Sequence, residues 1–129
     1  MPLVRIEVVG TRSPSERKGL FEAIHAALVE AFGIPEDDRT QRLIEHEPGA
    51  FEVPPGDSDR YTLVEITAFA GRSTTAKRAL YQAIVRNLGE VRIPPEDVSI
   101  VLHEEELENW GIRGGRSADE VDLGFDVNV

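Results

Sequence analysis

The second residue of the chain is a proline, and two arginines, Arg12 and Arg72, stand sixty positions apart, each directly before a serine. Methionine is commonly trimmed ahead of proline, and its loss would leave Pro2 with a free secondary amine. A chain-terminal amine titrates near about 8. Burial in an apolar pocket, or nearby cations, would lower that value and make the group a base at neutral pH. Exposed and flanked by carboxylates, it would stay protonated and act as an acid. The plainer reading is that Pro2 only starts a strand, where its missing N–H costs little. The corresponding residue of the second half is Thr62, so the structural slot does not require proline. A retained Met1 would turn the nitrogen into an amide and remove this chemistry.

Arg12 precedes Ser13 and Arg72 precedes Ser73, at the expected starts of two helices. A cation beside the positive end of a helix is mildly unfavourable by itself. It becomes favourable when an anion binds there, held by guanidinium and helix N–H groups together. The alternative is pairing with one of the many surface acids. Asp38 follows a Pro35-Glu36-Asp37 turn, where it either orients water and biases the amine's protonation or satisfies turn backbone. Trp110 lies in a glycine-rich stretch with Ile112 and Arg113; it walls a pocket or packs at a subunit contact. Arg113 and Arg116 reach an anion or face water. His25, His46 and His103 lack metal-ligand spacing, and no phosphate loop or nucleophile elbow is present.

The elements that must position these groups come from an internal repeat. In a sixty-residue shift Leu3, Val4 and Ile6 meet Leu63, Val64 and Ile66, and Leu20, Ala23, Ile24 and Leu28 meet Leu80, Ala83, Ile84 and Leu88. Pro35-Glu36-Asp37 meets Pro95-Glu96-Asp97. Each copy reads as strand, helix, strand. Leu3 to Val9 is short, apolar and β-branched, as a buried strand should be. Ser13-Pro14-Ser15-Glu16 is a capping box with proline at the first helical position. The helix shows an apolar face from Leu20 to Ala31 and ends at Gly33. A second strand falls near Gln41 to Glu47. The second copy runs from Leu63–Phe69 through a helix at about Thr74 to Leu88 to Val98–Leu102.

The expected architecture is therefore α+β: two tandem βαβ units forming a four-stranded sheet, with two helices on one face and a C-terminal strand or hairpin. The pseudo-repeats span residues 2–47 and 62–104 of a single domain 1–129, with a linker at 48–59 and a C-terminal arm at 105–129. Val121, Leu123, Phe125, Val127 and Val129 alternate with polar residues and glycine, which predicts a strand in search of a sheet edge. The sheet face away from the helices would be bare, and oligomerisation is the simplest way to cover it.

A formal charge of −10, from 24 acids against 14 lysines and arginines, argues against nucleic acid and anionic membrane as partners. The absence of cysteine excludes disulfide and thiolate chemistry. With no signal-like start and no membrane-length apolar run, a cytoplasmic protein is expected. No metal or other cofactor is called for.

Met1-Pro2, the duplicated βαβ plan, Gly10-Thr11-Arg12-Ser13 and Trp110-Gly111-Ile112-Arg113-Gly114-Gly115 together resemble the tautomerase superfamily, typified by 4-oxalocrotonate tautomerase. Ala31-Phe32-Gly33-Ile34-Pro35, Asp38-Arg39 and Ala70-Gly71-Arg72-Ser73 resemble its malonate semialdehyde decarboxylase branch. The resemblance implies a homotrimer acting on a small carboxylate. It makes Pro2 the catalytic amine, Arg72 the carboxylate-binding cation and Asp38 the acid that influences the amine or activates water. Arg12 matches a substrate-binding arginine and Trp110 an aromatic pocket wall, with Ile112 and Arg113 beside it on the substrate. Ala70-Gly71-Arg72 departs from the branch's Arg-x-Arg pattern, and Asn109-Trp110-Gly111-Ile112-Arg113 replaces its Asp-Trp-Ser-Phe-Gly stretch, which leaves the substrate open. Val29 stands where the cis-3-chloroacrylic acid dehalogenases have a histidine, against that activity.

Three readings follow. The first is a keto–enol tautomerase acting on a 2-oxo acid with Pro2 as base. The second is a decarboxylase or hydratase acting on a 3-oxo acid with protonated Pro2 as acid, and the third is a non-catalytic trimeric binding module.

Overall fold

The computed structural model describes residues 2–129, so the expected removal of Met1 lies outside the described residues. Two βαβ units are present: β1 Leu3–Val9, α1 Pro14–Phe32 and β2 Thr40–His46, then β3 Thr62–Phe69, α2 Thr74–Glu90 and β4 Val98–Glu105. A short hairpin follows, β5 Gly111–Ile112 with β6 Arg116–Ser117. Helix α1 starts as its sequence dictates. Ser13 accepts from the Glu16 amide while the Glu16 carboxylate accepts from the Ser13 amide, and Pro14 occupies the first turn. It stops at Gly33, whose φ of +64° is the left-handed conformation that glycine adopts without strain.

The sheet order is β2-β1-β3-β4. Within each unit the strands are parallel; the two units join through antiparallel β1 and β3, with Leu3 opposite Thr67 and Val8 opposite Thr62. Strand β4 runs on to Glu105, past the expected Leu102, because Phe69 of β3 still pairs with Glu105. Val4, Ile6, Val8, Val64 and Ile66 are buried against Leu20, Ile24, Leu28 and Phe32 of α1 and Leu80, Ile84 and Leu88 of α2. Burying each such side chain contributes about 1.5–3 kcal/mol, so this layer carries the fold.

The other sheet face is polar along its centre. His46 of β2 meets Glu7 at 2.8 Å, Arg5 meets Glu65 at 2.5 Å and lies 3.6 Å from Glu7, and His103 of β4 meets Glu65 at 2.9 Å. This ionic row crosses all four strands. The linker is tied to the second unit by Ser58, whose amide and hydroxyl both donate to the buried Asp97 carboxylate.

Residues 121–129 are not a strand, contrary to the expectation from their alternation. The alternation does set burial: Val121, Leu123, Phe125 and Val127 are the more covered residues. The intervening aspartates bend the backbone instead of leaving it free to pair. Asp122 accepts from the Gly124 amide at 3.0 Å and Asp126 from the Asn128 amide at 2.8 Å. Such local bonds compete with a sheet ladder. The segment lies across the start of α2, where the Val129 carbonyl accepts from the Ser73 amide at 2.8 Å. Among the described residues no helix is long and apolar enough to cross a membrane.

Candidate active site

Because β1 and β3 are antiparallel, the beginning of one lies beside the end of the other. Pro2 directly precedes Leu3, which is opposite Thr40 on β2 and Thr67 on β3. Pro2 is buried. Asp38 leads into β2 and Arg72 follows β3, so Pro2, Asp38 and Arg72 are brought to one end of the sheet. The same end holds a cavity of about 300 Å³ lined by Pro35, Asp37, Asp38, Phe69, Ile112, Arg113, Leu123 and Phe125. Asp38, Ile112 and Arg113, all expected from the sequence, therefore share one wall system.

Arg72 is only 7% exposed and is not among the cavity's lining residues. Its Nη1 donates to the Phe69 carbonyl at 2.9 Å. The guanidinium carbon lies 4.7 Å from the ring centre of Phe32 and 5.9 Å from that of Phe125, within cation–π range. Nε has no hydrogen-bond partner, and Arg72 forms no ion pair within 4 Å among the described residues. Burial pushes the guanidinium below its ordinary value, while the carboxylates of Glu104, Asp126 and Asp38 pull it back up. It stays a cation at neutral pH, desolvated and short of acceptors.

Arg12 is placed elsewhere. It follows the far end of β1, roughly 20 Å from Pro2 at the usual rise per residue. Its Nη1 donates to the Val9 carbonyl at 2.8 Å, and the Glu45 carboxylate accepts from its backbone amide at 2.6 Å. Within one chain it does not join the cavity. Trp110 packs edge-on against Phe69 at 4.8 Å between ring centres, and its Nε1 donates to the Glu105 carbonyl at 3.3 Å. It thus backs a cavity-lining ring. Arg113 adopts φ +47° in the hairpin turn and donates to the Asp122 carbonyl at 2.8 Å. Sequence reasoning missed the apolar side of the cavity, Phe69, Leu123 and Phe125. Its only signal was the inward alternation of residues 121–127.

Two back-to-back βαβ units with a buried proline ahead of the first strand define the class, and the chain belongs to the tautomerase superfamily and is an enzyme of that family. Two family profiles, both described as tautomerase enzyme, match residues 38–113 and 2–56. A relative from Bacillus subtilis (strain 168), named as a probable tautomerase, YusQ, is 30% identical over 91% of this chain and 97% of its own length. Among solved structures, a malonate semialdehyde decarboxylase is 29% identical with a TM-score of 0.82, covering 91% of this chain and 94% of that one. The FG41 malonate semialdehyde decarboxylase, solved inhibited by 3-bromopropiolate, is 32% identical with a TM-score of 0.75 over 91% of this chain and 92% of that one.

Proposed function

We propose that this enzyme interconverts the keto and enol forms of a small 2-oxo carboxylate, with the amine of Pro2, freed by loss of Met1, as general base. The observation that supports this reading is that buried Pro2 and the desolvated Arg72 belong to the same sheet end as a largely apolar cavity. Burial and a neighbouring cation both favour the neutral amine. Asp38 acts in the opposite sense, but its field is shared with Arg72. The neutral nitrogen takes a proton from C3, and the C–H electrons become the C2–C3 double bond. The carbonyl electrons pass to oxygen, and the proton then moves from the ammonium to that oxygen. Arg72 holds the carboxylate and stabilises the developing enolate charge, the interaction that contributes most to the rate. Ile112 and Arg113 contact the substrate from the hairpin, Trp110 fixes the wall behind Phe69, and Arg12 reaches a site only from another copy.

The substrate's companion in assembly is further copies of this chain, a homotrimer in this reading. The open sheet face supports it, since Val101 there is 42% exposed. The test of the enzymatic reading is ultraviolet-monitored ketonisation of phenylenolpyruvate or 2-hydroxymuconate by the processed protein and by Pro2→Ala. A loss of about 10²-fold or more is expected for the variant; equal rates would reject Pro2 as the base.

A second reading is favoured by Asp38 in the cavity wall and by the two decarboxylase structures at 29% and 32% identity. In it a protonated Pro2 beside Asp38 polarises the carbonyl of a 3-oxo acid. Arg72 holds the carboxylate, which departs as carbon dioxide and leaves its bonding electrons in the enol. Carbon dioxide release from malonate semialdehyde, lost in Asp38→Asn, would separate it from tautomerisation.

A further inference from the structure

We propose that residues 122–129 act as an internal plug, with Phe125 as the gate over Arg72 that a substrate carboxylate displaces. The proposal rests on the reading of Arg72 as the carboxylate-binding group.

Three donors suited to an anion converge at this sheet end, and the same segment occupies all three. The Val129 carbonyl takes the Ser73 amide at the start of α2. The Asp122 carbonyl takes Arg113. The Phe125 ring centre lies 5.9 Å from the Arg72 guanidinium carbon, and the ring lines the cavity that Arg72 does not reach. In the first unit the place of Val129 is taken by a permanent acceptor: the Glu16 carboxylate accepts from the Ser13 amide. The second unit has Ala76 at the position of Glu16, so Ser73 Oγ still caps α2 through the Ala76 amide while the Ser73 amide is met by the plug.

The plug is held by apolar packing and not by a ladder: Val127 is buried with Phe69, Trp110 and Ala118, and Leu123 and Phe125 pack beside them. Among the described residues, its backbone-to-backbone hydrogen bonding outside itself is the single Val129–Ser73 bond. The bonds of Asp122 and Asp126 to Gly124 and Asn128 are internal and move with it. Gly124, at φ +80°, is a pivot directly before Phe125. A segment without a ladder opens at lower cost than the paired strands it covers. A carboxylate arriving at Arg72 would give its unpartnered Nε–H a charge-assisted bond, which exceeds a ring contact in strength. Withdrawal of Asp122 would at the same step release Arg113 toward the ligand.

The test is modification of arginines by phenylglyoxal, followed residue by residue by peptide mass spectrometry. It needs no turnover. Arg72 should react slowly in the unaltered protein and roughly tenfold faster in Phe125→Ala, with Phe125→Leu between them, because accessibility follows the open fraction. Exposed, remote Arg92 should react equally in all three. Pyruvate should protect Arg72, most strongly in Phe125→Ala. Equal Arg72 rates in proteins that still melt cooperatively would overturn the gate. If Phe125→Ala does not fold, Phe125→Leu decides by the same comparison. Acceleration without protection by pyruvate would uphold the gate and overturn the carboxylate reading instead.

Discussion

Arg12 and Arg72 make the same hydrogen bond in the two halves of the molecule: each Nη1 donates to the carbonyl three residues earlier, Val9 at 2.8 Å and Phe69 at 2.9 Å. Their surroundings then diverge. Beside Arg12 stands a carboxylate of the chain itself, Glu45, on the arginine's own amide and on Arg17 at 2.7 Å. Beside Arg72 stand two aromatic rings, and the carboxylates of Glu104, Asp126 and Asp38 act on it only from beyond ion-pair distance. At one end the guanidinium is half-buried and bonded to two carbonyls; at the other it is buried between two rings with its Nε unpartnered.

Substitution should therefore separate the two arginines. Arg72→Ala is expected to lower kcat/KM by roughly 10²–10³-fold, the cost of removing one oriented donor to a developing oxyanion, about 2.7–4 kcal/mol. Arg12→Ala loses its bonds to the Val9 and Asp59 carbonyls. That should cost about 1 kcal/mol of stability and lower Tm by roughly 3–6 °C. Steady-state ketonisation and thermal melts on both variants check the contrast.

Asp38→Asn removes a negative charge from the sheet end that holds Pro2. A carboxylate favours the charged amine, so its loss lowers the amine's pKa. If Pro2 is the base, the acid limb of the kcat/KM profile should move to lower pH in this variant. A limb that stays in place or moves upward would show that Asp38 does not act on the amine.

The acid stability limit should report on Glu45 and Glu65. The Arg12 amide, and then Arg17, hold the Glu45 carboxyl below its ordinary value of 4.5. The Arg5 guanidinium, and then His103, do the same for Glu65. A lowered folded-state pKa gives stability that is complete above the unfolded value and is lost as pH falls through the folded one. Melting temperature should thus hold down to about pH 4.5 and fall below it. Glu45→Gln should melt lower at neutral pH yet lose less between about pH 6 and pH 3.

Gly71→Ala tests how tightly the terminal segment is seated. Gly71 has φ +129°, and an added Cβ would lie 2.9 Å from Asn128 Oδ1 and 3.0 Å from the Val127 carbonyl oxygen. The backbone strain alone is worth about 1–3 kcal/mol. A lower Tm and faster limited proteolysis within residues 121–129 are expected; unchanged proteolysis would place the segment's anchorage elsewhere.

The strands and helices were legible because their signals are local. Alternate burial along β1 and β3 follows Val4, Ile6, Val64 and Ile66, and Ser13 with Glu16 encodes the start of α1. Asp38, Ile112 and Arg113, far apart in the chain, line one cavity. The difference between the arginines was not legible, because Glu45 reaches Arg12 from 33 residues away and the antiparallel seam sends equivalent positions to opposite ends. Nor was the turn of the last segment, where Asp122 and Asp126 win backbone amides that a pure alternation rule assigns to a ladder.

Across the open face Arg5 lies between the carboxylates of Glu7 and Glu65, with His46 and His103 at the two ends of the row. Such a row works like the notches of a key. A surface laid over it in one rotational setting meets charge with counter-charge, while a shift by a single strand sets carboxylate against carboxylate. An apolar face would let a covering surface slide; alternating Glu7, Arg5 and Glu65 would make a mismatched one costly before close packing begins.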